Sequence, residues 1–489
     1  MATARRLAAL AGVLALAACG SSAPKPHDGP VLRLALPLLP GTLDPAKVDD
    51  LPSLNVSHEL YAGLTRFSGT DVEPDLATSW ETSDDGLVWT FHLRKGIRWS
   101  NDAPITAEDF RRSWLRALSP PLHSSYARAE MQNIADARRY RVTGKGSIGV
   151  EAPDERTLRV TLGHPVPWLD EQVAWPVFFP VPKSGTATSG PFRLASRSAE
   201  RLVLERNFNY WNVDAVKPRR LVLGTATKGA AAILPRGLAA PGFPWIDTAG
   251  PAPGGAHAVP TLATGLLWFV TRGTPLADLV ARQYVAWVLT HLKLGGPPPV
   301  LIPPAMPGAE TVNSHRPVLL RSAPPPLRLT LAYATSDRRG SRIAAELRRS
   351  TPELRSYDIE LAFHSVPSLA ELNRLAGPPA QPGVDVVLLG WSSEFFDAYN
   401  LLDLFPCGSA FNVAQWCNRS YDRLMMQAVR TLDDGQRWLL ERKLVEKLHD
   451  GVPAIPVYTA RDHFSLAAGV TGFSWSPIGI YELMGMTRS

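Results

Sequence analysis

Apolar side chains recur with two periods along this chain, and the points where the period changes divide it into strands, turns and helices. Trp89, Phe91 and Leu93 alternate with Thr90, His92 and Arg94, the pattern of a strand with one buried face. Asp84-Asp85-Gly86 just ahead of them supplies a tight turn, because Gly reaches the positive φ that such turns need. Asn101-Asp102 marks a second turn. Thr106, followed three residues later by Asp109, predicts a capped helix start before Phe110, Trp114 and Leu115. Residues 150–162 predict strand, turn and strand, with the turn at Pro153-Asp154-Glu155 and with Leu158, Val160 and Leu162 facing inward.

The second half alternates in type. Residues 266–270 predict a buried strand and 280–292 a helix; 327–333 predict a strand, 341–348 a helix and 357–363 another strand. Asp385 to Gly390 is a short apolar run ended by Gly, as in a buried strand of a helix-covered sheet. Tyr421, Leu424, Met425, Ala428 and Leu432 recur at helical spacing after a cap at Asn418 or Ser420, and Leu440, Leu444 and Leu448 repeat the spacing. Strands alternating with helices predict an α/β fold. The proline runs at 251–254 and 297–299 predict exposed loops.

The amino terminus does not belong to that fold. Arg5-Arg6, an apolar run over 7–17 and then Ala18-Cys19-Gly20 form a secretory signal rather than a spanning helix. Leu16-Ala17-Ala18-Cys19 resembles the bacterial lipobox, which implies cleavage after residue 18 and acylation of Cys19; an ordinary signal peptide with an incidental Cys is the alternative. Several acyl chains at about 0.8 kcal/mol per buried CH₂ hold a protein firmly to a membrane. Residues 19–31, rich in Pro, Ser and Gly, then form a flexible tether. The remaining pair, Cys407 and Cys417, lies in an oxidising compartment and predicts a disulfide. No Cys-x-x-Cys or neighbouring His spacing supports a metal there.

At 45% hydrophobic and 20% charged, the 489 residues can bury a sizeable core. The net charge of +6 includes the two signal arginines and is otherwise diffuse, with no basic block interleaved with aromatics, so nucleic-acid binding gains no support. A Gly-x-Ser-x-Gly elbow, a His-Glu-x-x-His pair and a phosphate-binding loop are all absent from the sequence, so neither hydrolysis nor ATP turnover is expected. No cofactor is implied.

Residues 58–116 carry a longer signature. Pro74, Leu76-Ala77, Ser79-Trp80, Asp85-Gly86, Thr90-Phe91, Leu93-Arg94, Trp99-Ser100-Asn101, Pro104, Thr106-Ala107 and Asp109 follow in order. They resemble the signature of the extracellular solute-binding proteins of family 5, which serve peptide and nickel ABC importers. Asp102 stands where that family usually has Gly, and Asp tolerates left-handed geometry better than most residues. Ser189-Gly190-Pro191-Phe192, Tyr210-Trp211 and 453–458 resemble later family segments. The family's Gly-Glu/Asp-hydrophobic-Asp element has no clear counterpart between Gly229 and Ile246.

The resemblance implies a two-lobed periplasmic-binding-protein-like α/β fold (type II, cluster C) with a hinge. Lobe I would comprise 32–53, 184–263 and 470–489, an inserted subdomain 54–183, and lobe II 264–469. It also implies a monomeric lipoprotein that closes on a short peptide and hands it to ABC permease subunits with cytoplasmic ATPases. A haem, nickel-chelate or glycoside ligand, or a regulatory role on the same fold, is the alternative. Similar cysteines flank the 407–417 loop in dipeptide-binding relatives.

The expected ligand loop is Gly390-Trp391-Ser392-Ser393-Glu394-Phe395-Phe396-Asp397, at a strand end where open α/β sheets bind ligands. In peptide-binding relatives the first acid after the Trp pairs with the ligand α-ammonium, and that position here is Glu394. A desolvated ammonium needs a paired, hydrogen-bonded carboxylate. Trp391, Ser392, Ser393 and Asp397 complete the expected set. The plainer readings are a solvated loop acid for Glu394, a core residue for Trp391 and a turn residue for Asp397.

Overall fold

The computed structural model describes residues 29–36, 38–48, 50–225, 232–233, 256–292, 300–313, 324–377 and 383–489. The signal segment with Cys19, the proline runs at 251–254 and 297–299, and all of 229–246 except 232–233 lie outside them. Among the described residues, one ten-stranded sheet runs through the whole body. Its order is Ile359–Val366, Leu327–Ala334, Val386–Ser392, Ala256–Phe269, Ala454–Leu466, Ala232–Ile233, Val31–Ala35, Arg220–Gly224, Arg201–Arg206 and Phe192–Arg197.

The two middle strands are the longest, at 14 and 13 residues, and they join a C-terminal half of the sheet to an N-terminal half. Their antiparallel register shifts between Pro260 and Thr264 and again between Gly265 and Leu266. Such irregularities bend a strand where they occur. Gly265 serves the crossing directly, because a Cβ there would meet the Tyr458 ring at 2.1 Å. The C-terminal half packs its strands between helices Leu279–His291 and Arg338–Arg349 on one side and Asp434–Gly451 on the other. Asn418 caps Arg419–Ala428 by accepting from the Ser420 and Tyr421 amides at 3.0 and 3.2 Å; Leu432 falls beyond that helix, whereas Tyr421, Met425 and Ala428 are buried.

Residues 77–161 build a separate four-stranded sheet, ordered Ala77–Thr82, Val88–Leu93, Thr157–Thr161, Val150–Asp154. The hairpin turns at Gly86 (φ +70°), and Trp89, Phe91 and Leu93 face inward, as the alternation predicts. Helix Ala107–Leu118 covers this face; Thr106 and Asp109 form its capping box, with the Asp109 carboxylate accepting from the Thr106 amide at 3.0 Å. Phe91, Phe110, Trp114, Leu158 and Val160 are fully buried, each worth about 1.5–3 kcal/mol of transfer free energy. Asp102 takes the left-handed conformation, φ +68°.

One sequence expectation shifts. The turn after Val150–Asp154 falls on Glu155-Arg156 rather than 153–155, and the strand runs through Pro153. Pro is tolerated because this strand is at the sheet edge, and the Asp154 carboxylate closes the turn by accepting from the Arg156 amide at 2.8 Å.

Signature residues far apart in sequence meet where this insert joins the main body. Asp75 is buried and accepts from the Gly63 amide at 3.1 Å and from Trp211 Nε1 at 2.6 Å, while the Arg94 guanidinium lies 3.6 Å above the Trp211 ring. Gly190 permits the approach of the adjoining segment, since a Cβ there would meet the Leu60 and Tyr61 backbone at 2.7 Å.

Cys407 and Cys417 are bonded, ten residues apart. Replacing both with serine is expected to lower the unfolding free energy by about 3 kcal/mol, the chain-entropy figure for a loop of this size. A urea midpoint equal to that of the parent would show that other contacts hold the loop.

Candidate functional site

Strand Val386–Ser392 lies inside the sheet, pairing with Leu327–Ala334 on one side and Ala256–Phe269 on the other, so its C-terminal end is rigidly placed. The chain then bends through 393–398 into the short helix Tyr399–Leu402. Trp391 is half-buried; its Nε1 donates to Asn400 Oδ1 at 2.7 Å and its ring meets Phe411 edge-on at 5.3 Å. Ser392 is half-buried and pairs with Ala263. Ser393 is buried, and its amide donates to the Leu262 carbonyl at 2.9 Å.

Asp397 is engaged by the protein through both carboxylate oxygens. Oδ1 accepts from the Tyr399 amide at 2.8 Å, closing an Asx turn, and Oδ2 accepts from Arg437 Nε at 2.8 Å, in a pair whose side chains are 3% and 5% exposed. Glu441 lies against the same pair, and burial together with the Asp397 charge pushes its carboxyl up to about 10, so it is protonated at neutral pH. The turn reading of Asp397 and its place beside the ligand loop thus coincide in a residue that braces the loop.

Glu394 is placed differently. The insert approaches the loop along 393–399: Trp175 Nε1 donates to the Glu394 carbonyl at 2.7 Å, the Glu171 carboxylate accepts from the Phe396 amide, and Trp168 stacks on Phe395 at 4.6 Å with the rings 7° from parallel. The Glu394 side chain hydrogen-bonds that of Glu130, which ends helix Ser125–Glu130 of the insert. Part of the Glu394 residue remains accessible, although its carboxyl is enclosed. Burial, and for Glu130 also the neighbouring carboxyl, pushes both acids above the usual carboxylate range, Glu130 the further. One proton shared by two carboxyls is the arrangement this favours. Tyr126 and Trp175, with ring centres 6.3 Å apart, stand beside the pair, and the phenol is raised by burial and then by both acids. Neither acid forms an ion pair with a described residue.

Sequence reasoning found Glu394 but none of its neighbours. Tyr126, Glu130, Trp168, Glu171 and Trp175 carry no motif of their own, and no local spacing links Glu130 to a residue 264 positions later. Among the described residues, no group of three His, Cys, Asp or Glu is placed to hold a metal, and no helix is long and apolar enough to cross a membrane.

A second polar cluster lines a small, partly open pocket between the insert and the C-terminal segment. His58, Glu59, Arg66, Asp75, Tyr210 and Glu482 face it. Arg66 pairs with Glu73 at 2.6 Å and Glu482 at 3.3 Å, and Glu59 accepts from the Leu483 amide at 2.8 Å. Burial pushes Glu59 up to about 8, Glu482 to about 7 and Asp75 to about 6, and holds His58 down to about 3.

A model of bacterial extracellular solute-binding proteins, family 5 (middle region), matches residues 71–289. The chain is similar to members of this family. Its relatives include the probable deoxycholate-binding periplasmic protein YgiS of Escherichia coli, 29% identical over 476 aligned positions that cover 86% of each chain. The periplasmic oligopeptide-binding protein OppA of Escherichia coli is 28% identical, over 85% of this chain and 84% of its own. Among solved structures, the unliganded open form of the periplasmic murein tripeptide-binding protein MppA aligns with a TM-score of 0.77 at 23% identity, over 94% of this chain and 97% of that one. The clavulanic acid biosynthesis oligopeptide-binding protein 2 gives the same score at 20% identity. The fold is the two-lobed α/β fold of periplasmic binding proteins.

The acids around the pocket set a direction for stability. Their folded values lie above the unfolded ones, so native protein holds protons that the unfolded chain has released, and stability falls as pH rises. His58 opposes this only below its unfolded value of about 6.5. Between pH 6.5 and 8 the melting temperature is therefore expected to decline. Glu59→Gln, which keeps an acceptor for Leu483, should recover about 1–2 kcal/mol at pH 8 relative to pH 6.5. A slope unchanged by this substitution would assign the titration elsewhere.

Proposed function

We propose that this chain is the ligand-capturing component of an ABC importer, which takes up short peptides between its two lobes and presents them to membrane permease subunits, and that it does so without catalysing a reaction. The carrying observation is the pair Glu394–Glu130, two enclosed carboxyls between the ligand loop and the insert, with no ion pair to either among the described residues. Such a pair is stabilised by a ligand cation, and an α-ammonium supplies one together with hydrogen-bond donors for both acids. Trp391 and the backbone of Ser392 and Ser393 would border the bound chain, and Asp397 would act by bracing the loop. Cys19 would carry the lipid that holds the monomer at the outer face of the membrane, with 19–31 as its tether.

The relatives' names include both peptide and deoxycholate binders. An anionic steroid acid would face two buried acids without a balancing cation, which costs affinity rather than adding to it. The site chemistry therefore favours the peptide.

Di- to pentapeptides are expected to raise the melting temperature of the mature protein, equivalent to about 2.7 kcal/mol at a hundredfold excess over Kd. N-acetylation of the same peptides should abolish the shift. Glu394→Gln should weaken binding by about 2–5 kcal/mol with the fold intact. Equal shifts from free and acetylated peptides would remove the ammonium role, and a shift only with deoxycholate would remove the peptide.

A further inference from the structure

A hydrogen bond between two carboxyls needs a proton, because an ionised carboxylate only accepts. The side-chain bond between Glu130 and Glu394 therefore holds one proton, and the fold keeps both acids at it. Glu130, 6% exposed, ends helix Ser125–Glu130. Ser124 caps that helix by accepting from the Ala127 amide at 2.9 Å, and the buried Met131 closes it by donating to the Ala127 carbonyl at 3.1 Å. Glu394 is held through its own carbonyl by Trp175 and, two residues on, by Glu171, which accepts from the Phe396 amide. Among the described residues no ion pair reaches either acid. Tyr126 stands beside them as a phenol, Glu171 is itself an acid, and Arg437 is engaged by Asp397 and Asp434.

Charge counting decides what the proton does when a peptide arrives. With its proton the pair carries one negative charge, which one α-ammonium cancels. Without it the pair would carry two, and one ammonium would leave an uncompensated charge in an enclosed site, which is costly. The proton belongs on Glu130, the more deeply buried of the two, since part of Glu394 stays accessible. We propose that Glu130 is a positioning residue that keeps its proton in the free and the peptide-bound protein: it donates to the Glu394 carboxylate, aims it, and leaves the pair a single charge for a single ammonium. This rests on the peptide reading above.

The test is isothermal titration of the mature protein with trialanine, kept below the peptide's own amine pKa of about 7.7–8.0. Near neutral pH, buffers of different ionisation enthalpy should report about zero protons exchanged per peptide. One proton released overturns the proposal, because Glu130 would then ionise on binding. Glu130→Ala should weaken trialanine about tenfold, the loss of one hydrogen bond to a charged group, and Glu130→Gln, whose amide also donates, should restore most of it. A Gln variant as weak as the Ala variant overturns the donor role. Affinity of the parent falls in acid as the pair takes a second proton, on Glu394. In Glu130→Ala the midpoint of that fall should move to higher pH, since the ionised Glu394 has lost its donor. An unmoved midpoint overturns the positioning role, and a lower one overturns the protonation, because it would mean that a negative charge had been removed. Melting temperature checks that both variants fold, and the parent's proton count tests the proposal without them. Failure of trialanine and longer peptides to bind the parent overturns the peptide reading and this one together.

Discussion

A buried carboxyl group must be given a proton, a hydrogen-bond donor or a cation, and this chain meets that demand differently from one acid to the next. Asp75 receives N–H donors from Gly63 and Trp211. Asp397 receives the Arg437 guanidinium, and Glu171 the Phe396 amide. Glu441 is left protonated beside the Asp397 pair. Each is thereby absorbed into the fold, and each would be expensive to remove because its partner would be left buried alone. Glu394 and Glu130 face each other, with no ion pair to either among the described residues. What separates this pair from the structural acids is therefore the lack of a counter-charge among the described residues, and burial alone does not make that distinction.

The two acids sit on opposite sides of a joint. Glu394 is carried by a strand end within the main sheet, and Glu130 by a short helix of the insert. Trp168, stacked on Phe395 and 4.6 Å from Tyr399, and Trp175, bonded to the Glu394 carbonyl, fasten the same two parts. The sheet passes from one lobe to the other through two long strands whose register shifts where they cross. A ligand that bridged the acids would add attraction between the two parts, and it would shift any balance of arrangements only by its preference for the closed one.

Much of this fold is legible in the sequence, because its elements are announced locally. Alternation at Trp89, Phe91 and Leu93, the Gly86 turn and the Thr106–Asp109 cap each need only a few neighbouring residues, and each appears where local physics puts it. The small departures have local causes too: Pro153 stays in its strand because an edge strand does not need its missing N–H. The site is legible only in half. Glu394 was reachable because it follows a Trp at a strand end in a resembling loop, whereas Glu130 was not, since a carboxyl meeting another 264 residues away leaves no periodicity. Arg437 likewise gives no sign in the sequence that it faces Asp397.

That division explains why the strongest sequence signal in the chain says least about its cargo. The residues of the 58–116 signature are engaged with one another and with Trp211: Asp75 as acceptor, Arg94 above the indole, and Asp109 at its cap. Each of these three has a fixed geometric partner within the fold. The strand Thr65–Ser68 shows how the scaffold reaches the site nonetheless. Arg66 turns to the Glu73 and Glu482 carboxylates at the pocket, while its neighbour Phe67 packs against Trp175 and Phe396 at 5.4 and 5.9 Å. One short strand thus ties the joint between the insert and the main body to the loop that carries Glu394. The scaffold fixes where the loop is held, and on the peptide reading the Glu394 carboxyl is the group it leaves for a ligand.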